Sequence, residues 1–80
     1  MKWVYLLRSS SDPAQRYVGQ TSDLQRRLDE HNTGKSAHTK KHLPWECVTA
    51  VWFSDDEKAG AFEQYLKHGS GHAFANHHFW

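Results

Sequence analysis

The chain has 80 residues, a formal net charge of +1, 14% aromatic content and a single cysteine. That length holds one domain, the aromatic share excludes a disordered tail, and a lone cysteine excludes an internal disulfide framework. No apolar run approaches the roughly 20 residues that cross a bilayer, and no secretory pattern is read at the start, so the cytosol is expected and a membrane partner is not.

Trp3-Val4-Tyr5-Leu6-Leu7 is apolar and β-prone and reads as a strand. Ser9 to Pro13 is a turn, and Arg16-Tyr17-Val18-Gly19 is a short second strand that makes a hairpin with the first. Gly19 at its end predicts either positive φ or close approach of another group to the backbone. A helix follows, with Ser22 as N-cap, Gln25 as its capping-box partner, Leu24 and Leu28 as its buried stripe, and Gly34 as its stop. Lys35 to Leu43 has no clean period and reads as a loop. Trp45 to Phe53 is β-branched and aromatic and reads as the third strand. Ser54 with Glu57 repeats the capping-box pattern and opens a second helix through about Lys67, with Ala59, Phe62 and Leu66 inward. Gly69 and Gly71 break it, and His72 to Phe79 adds a short terminal helix. The expected fold is a small single α/β domain over residues 1–80. It has a mainly antiparallel three-stranded sheet flanked by helices, in the order β-β-α-β-α-α.

A net charge of +1 is a small basic excess for a nucleic-acid partner, but the charge is unevenly placed. Lys35, Lys40 and Lys41, with His38 and His42, fall in one segment that contains no acid, whereas Asp55, Asp56 and Glu57 gather elsewhere. Local concentration is what a phosphate feels.

Arg27 and His31 are four apart on the first helix and border its apolar stripe. Either Arg27 snorkels beside a half-buried, satisfied histidine, or the two form part of a site. Glu63 lies at the edge of the apolar face of the second helix, where a carboxylate needs a partner. That partner is an internal cation, Arg27 or Arg16, or else a divalent metal, for which Glu63 would be a hard oxygen ligand. Tyr5 and Tyr17 sit on paired strands, as packing residues or as hydroxyl donors. The tail histidines His68, His72, His77 and His78 lack the spacing and the cysteines of a zinc site. Cys47 reads as a small core residue.

Taken together, these residues resemble the GIY-YIG nuclease family, in particular its small stand-alone bacterial type. Trp3-Val4-Tyr5 matches the family's first tripeptide without its glycine, and Tyr17-Val18-Gly19 matches the second. Arg16 to Asn32 follows the strand-to-helix signature, with the family's arginine at Arg27 and its histidine-or-tyrosine position at His31. Ala61 to Lys67 matches the helix that carries the metal-binding glutamate, Glu63. The resemblance implies that Glu63 holds one divalent cation, Mg²⁺ or Mn²⁺, on the scissile phosphate. It further implies that Tyr17 activates or positions the attacking water, alone or with His31, that Arg27 stabilises charge on the phosphoryl oxygens, and that Tyr5 orients nucleophile or phosphate. Two departures stand out. Some branches carry a lysine where this chain has Gln20, and some use a late asparagine, for which Asn76 is available.

The expected function is a divalent-metal-dependent endonuclease that hydrolyses phosphodiester bonds in DNA, in repair or recombination. Lys35, Lys40 and Lys41 would contact the nucleic acid, and a partner protein would supply specificity. The alternative is a nucleic-acid-binding module of the same fold with little or no turnover. A structural or interaction domain that binds metal through its tail histidines is a third reading.

Overall fold

Trp3 to Leu7 is apolar without alternation because its strand is central and covered on both faces. The computed structural model describes residues 1–80. It contains β1 (Lys2–Ser9), β2 (Arg16–Thr21), α1 (Leu24–Asn32), β3 (Trp45–Phe53), α2 (Asp56–Lys67) and α3 (Gly69–His78). The sheet order is β2-β1-β3 and both pairings are antiparallel. β1 aligns Tyr5 with Gly19 and Leu7 with Tyr17 on one side, and meets β3 on the other with a register shift at Leu6/Leu7.

Alternation along β1 divides the core. Val4 and Leu6 pack with Ala59 and Leu66 of α2 and Ala75 of α3, joined by Val18, Phe62 and Phe79. Tyr5 and Leu7 face the other way and pack with Trp45, joined by Tyr17, Leu24, Leu28 and Cys47. The sheet is thus a partition, with α1 on one face and α2 and α3 on the other. Half-buried Cys47 belongs to the α1-side core, as its position in the strand predicts.

The helix starts lie one residue later than expected. Asp23, not Ser22, caps α1 by accepting from the Arg26 N–H, and Asp55, not Ser54, caps α2 by accepting from Glu57 and Lys58. Both residues of each Ser-Asp pair are good caps, and the carboxylate adds a favourable charge at the dipole's positive end. Gly34 ends α1 with φ of +80°, where a side chain would be strained. The following loop holds a short 3-10 turn, Lys40–His42.

α2 ends at Lys67 as expected, but the terminal helix starts at Gly69 and not His72, so that Gly69 and Gly71 form the first turn of α3. Gly69 has φ of +51°. Gly71 is buried, and a Cβ there would lie 1.7 Å from the Tyr65 carbonyl oxygen. The absent side chain lets α3 start directly against the last turns of α2. Gly71→Ala is therefore expected to lose about 3 kcal/mol, the upper end of overpacking costs. That rivals the whole stability of about 3–5 kcal/mol typical of a core this small, so far-UV circular dichroism should show a largely unfolded chain at 37 °C.

Candidate active site

Gly19 resolves its two alternatives in favour of close approach. Its φ is not positive, and a Cβ there would lie 2.6 Å from the Tyr5 hydroxyl and 2.9 Å from the Tyr17 ring. The Tyr5 ring uses the space that a side chain on β2 would fill. Its hydroxyl then reaches α1, which crosses this face of the sheet.

Four of the five expected catalytic residues interlock at this point. Arg27 Nε donates to the Tyr5 hydroxyl at 3.4 Å, and that hydroxyl lies 3.0 Å from His31 Nε2. His31 Nδ1 lies 2.9 Å from Thr39 Oγ1. The Tyr17 ring stands edge-on to His31, with centroids 4.9 Å apart. Tyr5 accepts from Arg27 and can donate to a neutral Nε2, in which case the imidazole proton sits on Nδ1 facing Thr39; the other tautomer reverses both bonds and leaves the same groups satisfied. The hydrogen-bonded chain runs Arg27, Tyr5, His31, Thr39.

Electrostatics keep the two buried members neutral and Arg27 charged. Burial, outweighing the opposing pull of Arg27, pushes the Tyr5 hydroxyl up to about 12, so it stays a donor. Burial lowers the His31 pKa and the nearby Arg27 charge lowers it further, so the ring is neutral at pH 7. Arg27 is held charged, first by its bond to Tyr5 and then by Glu30, which it meets at 3.1 Å.

Exposure assigns the reach of each group. Tyr5 is 1% exposed and His31 fully buried, and the partners of both are used up inside the protein. They fix the positions of Arg27 and Tyr17, which are the half-buried groups at the surface. Tyr17 opens on two clefts. One, of about 430 Å³, is lined also by His38, Thr39, His42 and Lys67. The other, of about 350 Å³, is lined also by Leu66, Lys67, His72 and Trp80.

Glu63 is not in that cluster. It rises from α2 on the opposite side of the sheet, at the edge formed by β2, and is 8% exposed. Its Oε1 accepts from Gln20 Nε2 at 2.8 Å, and its Oε2 meets Lys67 Nζ at 2.5 Å. The expected internal partners, Arg27 and Arg16, are elsewhere. Arg27 holds Glu30, while Arg16 donates to Asn76 at 3.0 Å and lies 4.8 Å over the Trp80 ring. Asn76 thus braces the C-terminal helix against β2. Lys67 bridges the two halves, since it pairs with Glu63 and also lines both Tyr17 clefts.

The Glu63 position fits a hard divalent cation. Its carboxylate already carries an ammonium on one oxygen, and the neighbouring Gln20 amide has an oxygen to offer on turning. No group of three or more His, Cys, Asp or Glu residues gathers in the chain, so water and substrate phosphate would complete the coordination, as is common for Mg²⁺.

The three loop lysines are all exposed. Lys40 and Lys41 lie on the 3-10 turn beside the Tyr17 cleft that His38 and His42 line. Lys35 shares a shallow depression with Arg26, Asp29 and Glu30, so the acid-free segment is not acid-free in space.

Sequence reading missed Thr39, Asn32, Trp45 and Lys67. The Asn32 side chain accepts from the Trp45 N–H at 2.6 Å and donates to its carbonyl at 3.0 Å, and Trp45 Nε1 donates to the Thr39 carbonyl at 2.7 Å. These bonds clasp the loop to α1 and hold Thr39 under His31. Only Lys67 had a local signal, four residues after a carboxylate on one helix.

A GIY-YIG catalytic domain family model matches residues 1–75. Among curated relatives, the structure-specific endonuclease subunit SLX1 of Debaryomyces hansenii is 42% identical over 81% of this chain and 21% of its own. UPF0213 protein YsiG of Lactococcus lactis is 37% identical over 82% of this chain and 62% of its own. The chain therefore spans between about a fifth and three fifths of these relatives. The solution structure of a UPF0213 protein from Bacillus halodurans superposes with a TM-score of 0.55 at 29% identity, covering 95% of this chain and 81% of that one.

His31 makes stability depend on pH in a stated direction. Above its unfolded pKa of 6.5 the ring is neutral in both states and its two hydrogen bonds contribute in full. As pH falls below 6.5, the unfolded chain binds a proton that the folded chain excludes, so stability drops until the lowered folded pKa is reached. The slope is at most about 1.4 kcal/mol per pH unit. Urea midpoints at pH 7.5 and pH 5.0 should differ less in His31→Gln than in the parent.

Proposed function

The chain belongs to the GIY-YIG family, and on that premise we propose that it is a divalent-metal-dependent endonuclease that hydrolyses phosphodiester bonds in DNA. The observation that carries this reading is the hydrogen-bonded chain Arg27, Tyr5, His31 and Thr39, packed against Gly19 and leaving Arg27 and Tyr17 half-exposed, with Lys67, the ion-pair partner of Glu63, lining the Tyr17 clefts. Bound at Glu63, Mg²⁺ or Mn²⁺ would lower the pKa of a water and polarise the phosphate. Tyr17 takes the proton of the attacking water or holds that water in line. Arg27, kept charged and aimed by Tyr5 and Glu30, stabilises the charge that develops on the phosphoryl oxygens. Tyr5 and His31 act from beneath, because a hydroxyl held by two partners keeps the guanidinium and the Tyr17 ring in one arrangement. A partner protein that supplies specificity is consistent with the SLX1 relative, which is named a subunit of a structure-specific endonuclease. An endonuclease of this kind would act in repair or recombination.

Two sets of variants test this. Glu63→Gln should abolish cleavage of labelled DNA in Mg²⁺ or Mn²⁺ while leaving binding nearly intact, and wild-type cleavage by that variant would refute the metal assignment. Tyr17→Phe and Arg27→Lys should each lower the rate about 10²-fold or more, since a lysine lacks the planar fork of arginine. If the parent shows no turnover with any DNA or metal tried, the binding module replaces the enzyme.

Salt dependence tests the surface. Lys40 and Lys41 should each neutralise about one phosphate, while Lys35 is already among acids. Replacing all three should flatten the log-affinity against log-salt slope by about 2 units, at ~0.9 per contact on duplex DNA. Turnover at saturating substrate should change far less, because such contacts hold ground and transition states alike.

A further inference from the structure

Three residues line both clefts at Tyr17, namely Tyr17 itself, Arg16 and Lys67. Of the two cations, Arg16 is engaged by Asn76 and by the face of Trp80. Lys67 is engaged by Glu63 alone, with Nζ 2.5 Å from Oε2. The pair is uneven in burial, the glutamate side chain being 11% exposed and the lysine side chain 38%. One end of this ion pair is therefore fixed inside the protein and the other is a flexible stem at the mouth of the clefts.

The same carboxylate is the hard oxygen ligand assigned above, and both of its oxygens are covered, Oε1 by Gln20 and Oε2 by Lys67. A divalent cation and an ammonium on one carboxylate oxygen repel each other across a few Å. Whichever is bound excludes the other. The divalent ion has twice the charge, whereas a lysine ammonium is a compact, well-hydrated point charge that moves easily on four methylenes. Once displaced, the ammonium has the Tyr17 clefts within reach of its stem.

We propose that Lys67 is a displaceable counter-ion. It neutralises Glu63 until a divalent cation takes the carboxylate, and it then binds a non-bridging phosphate oxygen of the substrate beside Tyr17. This rests on the metal-bearing role of Glu63. Lys67 thereby supplies the cation that Gln20 does not, and metal and nucleic acid each raise the other's affinity, because linkage of this kind is reciprocal.

Mn²⁺ binding, followed by the electron paramagnetic resonance of free Mn²⁺ without nucleic acid, tests the first half. Lys67→Met should bind Mn²⁺ about threefold or more tightly than the parent, as expected for removal of a partly screened ion pair, and Lys67→Arg should stay near the parent. Binding to a short duplex over a range of salt tests the second half, using Ca²⁺ as the cation. With Ca²⁺ the slope for Lys67→Met should be lower than the parent's by about 1, with Lys67→Arg retaining the parent's slope, and in EDTA parent and Lys67→Met should coincide. Unchanged or weaker Mn²⁺ binding by Lys67→Met overturns the proposal, and so does an equal slope in Ca²⁺. If Glu63→Gln binds Mn²⁺ as the parent does, the metal role of Glu63 itself fails, whatever Lys67 does.

Discussion

The buried contact between the Tyr5 hydroxyl and His31 Nε2 is the interaction on which the site depends. It joins the central strand to α1 across 26 residues of sequence, at 3.0 Å. It is available only because β2 presents a glycine opposite Tyr5. Neither end has slack. Tyr5 also accepts from Arg27, and His31 is held on its other nitrogen by Thr39, itself fixed by Trp45. A buried polar chain of this sort tolerates no missing member, since any group left unpaired costs about 1–3 kcal/mol. The same satisfaction makes it rigid, and rigidity is what a surface arginine and a tyrosine need in order to meet a phosphate in one geometry.

The sheet separates two kinds of chemistry. On the α1 face lie the hydroxyls, the imidazole and the guanidinium, a set suited to moving a proton and stabilising negative charge. On the α2 face lies the carboxylate. The two meet only around β2, which is an edge strand and therefore leaves a rim that a substrate can straddle. Lys67 occupies that rim, and Arg16, stacked on Trp80, stiffens it from the C-terminal side. Because the sheet is only three strands wide, its two faces come together at one edge even in a domain of this size.

Much of the fold is legible in the residues themselves. The apolar run of β1, the β-branched run of β3 and the helical spacing of Ala59, Phe62 and Leu66 are periodic signals, and the elements stand where those signals place them. The caps are misread by one position because each serine is followed by an aspartate that serves better. Gly71 is misread because a glycine that stops a helix and a glycine that lets two helices touch look the same in sequence. The membership of Tyr5, Tyr17, Arg27, His31 and Glu63 in one family pattern is legible as well, but not their division between two faces of a sheet.

The sequence by itself determined which segments are strands and helices, which face of each is apolar, and which side chains fall on the family's pattern. These follow from short-range periodicity and from residue type. Only the tertiary structure decided that His31 is spent on Tyr5 and Thr39, that Glu63 pairs with Lys67 and Gln20 instead of an arginine, and that Lys35 sits among acids. The physical reason is range. A hydrogen bond forms or fails within a few tenths of an ångström, and Gln20 and Glu63 are 43 residues apart, so their meeting depends on how two layers pack and on no local pattern.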